Sequence, residues 1–299
     1  MKNSSHITVM LKEAVDFLQV KPGKWYVDAT FGRGGHTGEI LSRGGKVIAF
    51  DFDQESINRG QEKFTEEIKD DQLILVRENF DQLATVLKKL NKENQLAGVL
   101  FDFGTSTDQL MSDNRGFSFE NPNADLDMRM DNRLGVKASD LLKVLTTKQL
   151  AQIFKDFGGE DKAKSIAKNI EKIKEKNPNN LETVGALVEA VNKSYNHQRG
   201  KINPATKVFQ ALRIVVNDEI NNIEKALPQA LANLKPQGRI VTIGFHEGED
   251  RIAKQTFNLW EQQHKGQKIT DKALKPSVEE LTNNPRSRSA KLRVFERSN

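Results

Sequence analysis

Short apolar runs alternate with stretches of helical periodicity over the first hundred residues. Residues 25–29, 46–50, 73–76 and 96–101 have strand length and strand composition, and the second and fourth runs end at Asp51 and Asp102. Helical patterns at 36–42, 54–68 and 81–90 separate them. Strands alternating with helices predict βαβ units and a parallel sheet. The pattern then changes. Residues 105–133 are irregular and rich in Asp, Asn, Ser and Arg, and 137–196 read as helices broken at Gly158-Gly159 and Pro178-Asn179-Asn180. Asn203-Pro204 opens a further helix, with Pro204 suited to its first turn and Val208, Ala211, Leu212, Val215 and Val216 at helical spacing. Pro236-Gln237-Gly238 reads as a turn before a strand at 239–243.

The simplest arrangement is a doubly wound α/β domain with a mainly parallel sheet, formed by residues 1–107 and 204–299 and interrupted by an all-helical insert at 108–203. A chain of 299 residues can bury such a core, and 36% hydrophobic with 29% charged residues is a globular composition. The net charge of +5 favours polyanionic partners without demanding them. There is no cysteine, so disulfides, thiolate metal sites and iron–sulfur clusters are excluded, and a reducing cytoplasm is the expected location. No apolar run approaches the roughly 20 residues that span a bilayer, so no membrane role is expected. The sequence leaves the oligomeric state open, a dimer included.

The sharpest chemical signal is Asp28-Ala29-Thr30-Phe31-Gly32-Arg33-Gly34-Gly35-His36, directly after the first strand. Glycines there let backbone pass close to a ligand at the carboxyl edge of a sheet. Asp51, closing the second strand, can accept from the ribose hydroxyls of an adenosine cofactor. A dinucleotide fingerprint needs a third glycine where Thr37 stands, and an acidic Asp28 beside the loop suits a cation better than a pyrophosphate. These residues favour S-adenosylmethionine over NAD, with a purely structural glycine turn as the alternative. Phe80 can pack on adenine or simply fill the core. Asp102 can point into the crevice or cap a strand end.

On the substrate side, Arg115 and Phe117 in Arg115-Gly116-Phe117-Ser118-Phe119 could contact phosphate and stack a base, with Arg129 following. Arg286, Arg288 and Arg293 place cations near the C-terminus, either as RNA contacts or as a solvated tail. His246 with Glu249 and Asp250 has a metal-like look, but a hydrogen-bonding edge histidine is the commoner case, and no metal is expected.

Nine segments, HITVMLKEAV, YVDATFGRGGHT, AFDFD, GVLFDFGTSTDQL, RGFSF, LDMRMD, NPATKVFQALRIVVNDEI, FHEGEDRIAK and NPRSRSAKLRV, follow in order from His6 to Val294. Together they resemble the RNA small-subunit methyltransferase H family, also called the MraW family. The resemblance implies a class I methyltransferase domain with a helical insert. It also implies cofactor contacts from Gly34, Gly35, His36, Asp51, Phe80, Asp102 and Gln109. The implied reaction is methylation of N4 of a decoding-region cytidine in 16S ribosomal RNA, and the implied partner is that RNA or the small ribosomal subunit. The chain departs from the family pattern at Ser106-Thr107-Asp108-Gln109, at 123–127, at 203–207 and at 244–251, all on the substrate side. No Pro-Pro pair occurs, so an amino-methyltransferase motif of the D/N/S-P-P type is absent. Asp102 is the first candidate to take the N4 proton, with Asp127 and His246 behind it. A non-catalytic RNA-binding assembly factor and an NAD-dependent oxidoreductase are the alternatives.

Overall fold

The structure is a computed structural model, and it describes residues 7–104, 115–195 and 203–299. The chain divides into two compact units, one of residues 1–104 with 220–299 and one of residues 105–219. The seam falls after Glu219, so the helix Ala205–Val216 belongs with the second unit.

The first unit is built on a seven-stranded sheet. Its strands are β1 (Trp25–Asp28), β2 (Lys46–Phe50), β3 (Leu73–Val76), β4 (Leu96–Asp102), β5 (Leu234–Gly244), β6 (Gly266–Lys268) and β7 (Lys291–Arg297). They lie in the order β3-β2-β1-β4-β5-β7-β6. β1 to β5 pair in parallel, whereas β7 runs antiparallel to both β5 and β6. The order reverses between β1 and β4, which opens a crevice at the carboxyl ends of those strands.

Alternation sorts the side chains into two layers. Ile48 and Phe50 of β2 join Val27, Val99, Phe101 and Ile240 on one face, packed with Leu83 and Leu87 from the helix Leu83–Lys89 and Ile223 and Leu227 from the helix Glu219–Asn233. Val47 and Ala49 turn to the other face with Tyr26, Leu100 and Val241, against Ala14, Val15 and Leu18 of the helix Leu11–Leu18. Burial on both faces is why these strands read as continuous apolar runs.

Two elements differ from the expectation. Pro236-Gln237-Gly238 does not precede a strand; it lies inside β5. Leu96 pairs with Leu234 and Gly98 with Arg239, so the register jumps there, with Gln237 at φ 62. This is a bulge-like bend that carries the proline without breaking the ladder. The basic segment near the C-terminus is not a tail: residues 291–297 form β7, whose Leu292, Val294 and Phe295 are fully buried.

The second unit holds the helices Ala138–Val144, Thr147–Asp156, Ala163–Lys176, Val184–Ser194 and Ala205–Val216, and no named strand among its described residues. Local chemistry sets their ends. Thr146 accepts from the Gln149 N–H and the Gln149 side chain returns to the Thr146 N–H, a reciprocal cap. Gly158 lies where a Cβ would strike the Lys207 carbonyl, so only glycine lets the helix Ala205–Val216 approach this closely. Residues 115–133 are irregular but ordered by side chains, with Leu126, Met128 and Met130 buried.

Candidate active site

The glycine turn after β1 is fastened to β2. The Gly32 N–H donates to Asp51 Oδ2 at 2.9 Å, and the Asp53 N–H donates to Asp51 Oδ1 at 2.9 Å. The Phe31 N–H reaches the Phe50 carbonyl at 2.8 Å, extending the β1–β2 junction by one bond. Asp28 is fully buried. It accepts from the Thr30 N–H at 3.1 Å and from the Thr37 hydroxyl at 2.7 Å. Thr37 thus uses the place of a third fingerprint glycine to hold a carboxylate under the loop. Asp102, at the end of β4, has its own N–H on the Thr30 hydroxyl at 2.7 Å. Thr30 therefore touches both Asp28 and Asp102.

Glycine serves packing as much as ligand approach here. A Cβ on Gly34, at φ +71, would meet Phe31 and Phe64 at 2.7 Å, and one on Gly35 would collide with Thr8. Those two glycines were expected at the cofactor. Their Cβ sides face protein, so any ligand contact falls to their backbone groups at the start of the helix Gly35–Ser42. Gly32, at φ +54, has no such crowding.

Electrostatics single out three carboxylates at neighbouring strand ends. Burial raises Asp28 above the ordinary carboxylate range. Burial also lifts Asp51 to about 7, against hydrogen bonds from Asp53 and Gly32 that pull it down. Asp102 is pushed up to about 8, first by burial and then by the charges of Asp28 and Glu249. Its side chain keeps 21% exposure, so it lines an opening rather than a sealed interior. Its Oδ1 is a buried acceptor with no hydrogen-bond partner, and Oδ2 lies 3.8 Å from His36 Nδ1. A crowded, partly hydrated carboxylate beside two others is strained without a cation and stabilised by one. This donor set fits a cationic adenosine cofactor and repels a pyrophosphate.

Phe80 opens a short turn after β3 and packs edge-on to Phe101 at 5.7 Å and against Phe103 at 6.1 Å. It is partly buried, so it packs on the core without being sealed in it. Gln109 lies outside the described residues.

Glu249, which the sequence offered only as part of a metal-like cluster, is 1% exposed and structural. It accepts from the Phe245 N–H at 2.6 Å and the His246 N–H at 3.1 Å, while His246 Nδ1 accepts from the Gly248 N–H at 3.1 Å. This reciprocal cap starts the helix Glu247–Gln262. His246, a candidate proton acceptor, has its Nδ1 lone pair committed to the cap. Asp127, the other candidate, is clamped by Arg129 at 2.7 and 2.8 Å, and those bonds hold its carboxyl below the ordinary range. It is a poorer base than Asp102.

The expected RNA contacts divide. Arg115 donates to the Arg129 and Met130 carbonyls and lies 5.7 Å over the Phe117 ring, which is 8% exposed. Arg129 serves Asp127 and the Leu134 carbonyl. Arg293 is buried on β7, and its guanidinium grips Asp250 at 2.7 and 3.1 Å. That use of Arg293 as a buried partner corrects its reading as an RNA contact. Arg286 and Arg288 are exposed, in the turn Pro285–Ser289.

Sequence reasoning missed Thr30, Thr37 and Glu249. Thr37 carried a signal, being the residue that spoils the fingerprint. Glu249 carried one too, three residues after a polar helix cap. Thr30 had none, because its role depends on β4 arriving beside β1.

The sheet order and the acid-lined crevice at its switch point define a class I methyltransferase. The model of the MraW methylase family matches residues 3–298, and the chain belongs to that family. Solved structures to which the chain is similar include an rRNA methylase of Streptococcus thermophilus, 11% identical, covering 99% of this chain and 100% of that one at a TM-score of 0.47. Another is a methyltransferase candidate of Streptococcus mutans crystallised with SAH, 13% identical, covering 98% and 99% at a TM-score of 0.45. Among the described residues no helix is long and apolar enough to cross a membrane.

Proposed function

We propose that the protein transfers a methyl group from S-adenosylmethionine to N4 of a cytidine in the decoding region of small-subunit ribosomal RNA. The observation that carries the reading is the trio Asp28, Asp51 and Asp102 at the crevice, with Asp102 Oδ1 buried and unpartnered. When bound, the cofactor supplies an electrophilic methyl group on a cationic sulfur. Asp51 would take its ribose hydroxyls, Phe80 its adenine, and the backbone of Gly34, Gly35 and His36 the methionine end. Asp28 and Asp102 would balance its positive charge.

Cytosine N4 is a weak nucleophile because its lone pair is delocalised into the ring. The residues must orient it and remove a proton as charge develops. The Asp102 carboxylate is the acceptor for that N4 proton. Its basicity exceeds that of an ordinary carboxylate, and the Thr30 hydroxyl on its N–H fixes its place. Positioning contributes on the order of 7–11 kcal/mol in such reactions. The unit 105–219 is proposed as the part that recognises substrate.

The test is transfer of labelled methyl to 16S RNA from cells lacking this enzyme, followed by mass-spectrometric location of the modified base. N4-methylcytidine in the decoding region is expected. Label on another base or another RNA would refute the specificity, and no transfer despite cofactor binding would leave an assembly factor.

A further inference from the structure

The crevice is acidic, so an RNA chain needs cationic contacts elsewhere. Arg115, Arg129 and Arg293 are turned inward, yet the chain carries a net charge of +5. A group of lysines stands at the opposite, amino edge of the sheet. There β1, β2 and β4 begin side by side, with Trp25 in register with Lys46 and Leu96. The Lys46 N–H donates to the Lys24 carbonyl at 2.8 Å, and the Lys24 N–H to the Lys21 carbonyl at 3.3 Å. Lys46 Nζ lies 5.6 Å from the centroid of the Trp25 ring, and Lys92 Nζ lies 4.6 Å from it. Two ammonium groups share one indole, and neither forms an ion pair with a carboxylate among the described residues. Lys21, Lys24 and Lys235 are exposed around them. The acids of this edge, Asp70, Asp71 and Glu93, form no ion pair with these lysines.

We infer that this amino edge is a docking surface for the RNA phosphate backbone, centred on Lys46 and Lys92 and held in place by Trp25. The inference rests on RNA being the substrate. Two like charges on one ring raise the local potential, and a polyanion relieves it. The indole restrains both ammonium groups, which reduces the entropy lost when a phosphate is bound. Strands of these lengths separate the two edges by roughly 15–20 Å. The phosphates gripped here are therefore not those flanking the target base.

The test uses the full chain and a fluorescein-labelled 24-nucleotide oligouridylate, followed by anisotropy across a potassium chloride series. Each single-strand phosphate contact contributes about 0.7 to the slope of log affinity against log salt. The Lys46→Gln/Lys92→Gln protein is expected to lose about 1.4 from that slope and roughly tenfold in affinity near 0.1 M salt. Its S-adenosylmethionine affinity stays at the wild-type value, and Lys46→Arg/Lys92→Arg restores the slope. An unchanged slope in the glutamine variant overturns the surface while leaving the RNA substrate intact. A wild type with no affinity for the oligouridylate overturns the surface as well, and methyl transfer to 16S RNA decides the substrate reading separately.

Discussion

Replacing Asp102 by Asn should stabilise the cofactor-free protein, and more so as pH rises. Asp102 titrates near 8 in the folded chain and near the ordinary 3.8 when unfolded. Folding therefore takes up a proton between those values, and wild-type stability falls as pH rises from about 4 to 8. The full displacement corresponds to about 6 kcal/mol above pH 8. That is a ceiling, because the side chain keeps 21% exposure and water in the crevice screens it. A gain of about 2–3 kcal/mol at pH 9, shrinking below about 1 kcal/mol at pH 5, is the expected result for the variant. Urea unfolding of both proteins at the two pH values measures it. Saturating S-adenosylmethionine should reverse the order, since a bound cation relieves the wild-type carboxylate and does nothing for an amide. A variant less stable than wild type at pH 9 without cofactor, or parallel pH profiles, would refute the strained-carboxylate reading.

Other outcomes follow from the same geometry. With Asp51 near 7 and Asp102 near 8, cofactor affinity should rise between pH 6 and 8 with net proton release, seen by calorimetry in buffers of different ionisation enthalpy. Proton uptake on binding would contradict this. Gly35→Ala should lower stability by about 1–3 kcal/mol in thermal unfolding, because its methyl group enters the space of Thr8; a neutral change would show that the contact yields freely. Arg293→Met should destabilise by about 1–2 kcal/mol, since it removes two short hydrogen bonds to Asp250 and leaves that carboxylate with Lys291 at 3.3 Å. If it instead weakened RNA binding at unchanged stability, the structural assignment of Arg293 would be wrong. Thr30→Val should lower kcat and cofactor affinity together, because its hydroxyl fixes Asp102, which serves both; steady-state kinetics beside a cofactor titration measures it, and an unchanged pair of values would contradict that role.

The parallel half of the sheet was legible because both its faces are covered, which leaves unbroken apolar runs such as 46–50 and 73–76. β7 was not legible: Arg293 and Arg297 interrupt its apolar residues and imitate a solvated tail. Their charges are absorbed by partners distant in sequence, Asp250 for one and the Leu231 and Leu234 carbonyls for the other. The bend in β5 was hidden for a different reason, since Pro236-Gln237-Gly238 carries the same signal whether a turn ends a strand or bulges it. At the site, Asp51 and Asp102 could be placed from strand ends alone. Thr30 could not, and neither could the inward commitment of Arg115 and Arg129, because composition does not reveal which cations are already satisfied. The glycines were read for the ligand, whereas Gly34 and Gly35 answer first to Phe31, Phe64 and Thr8.

The most direct test of the account is a crystal structure with S-adenosylmethionine bound. The ribose hydroxyls should lie within about 2.6–3.2 Å of the Asp51 oxygens, and the sulfonium methyl should face Asp102. Electron density for the cofactor at any other place, or none at saturating concentration, would contradict it.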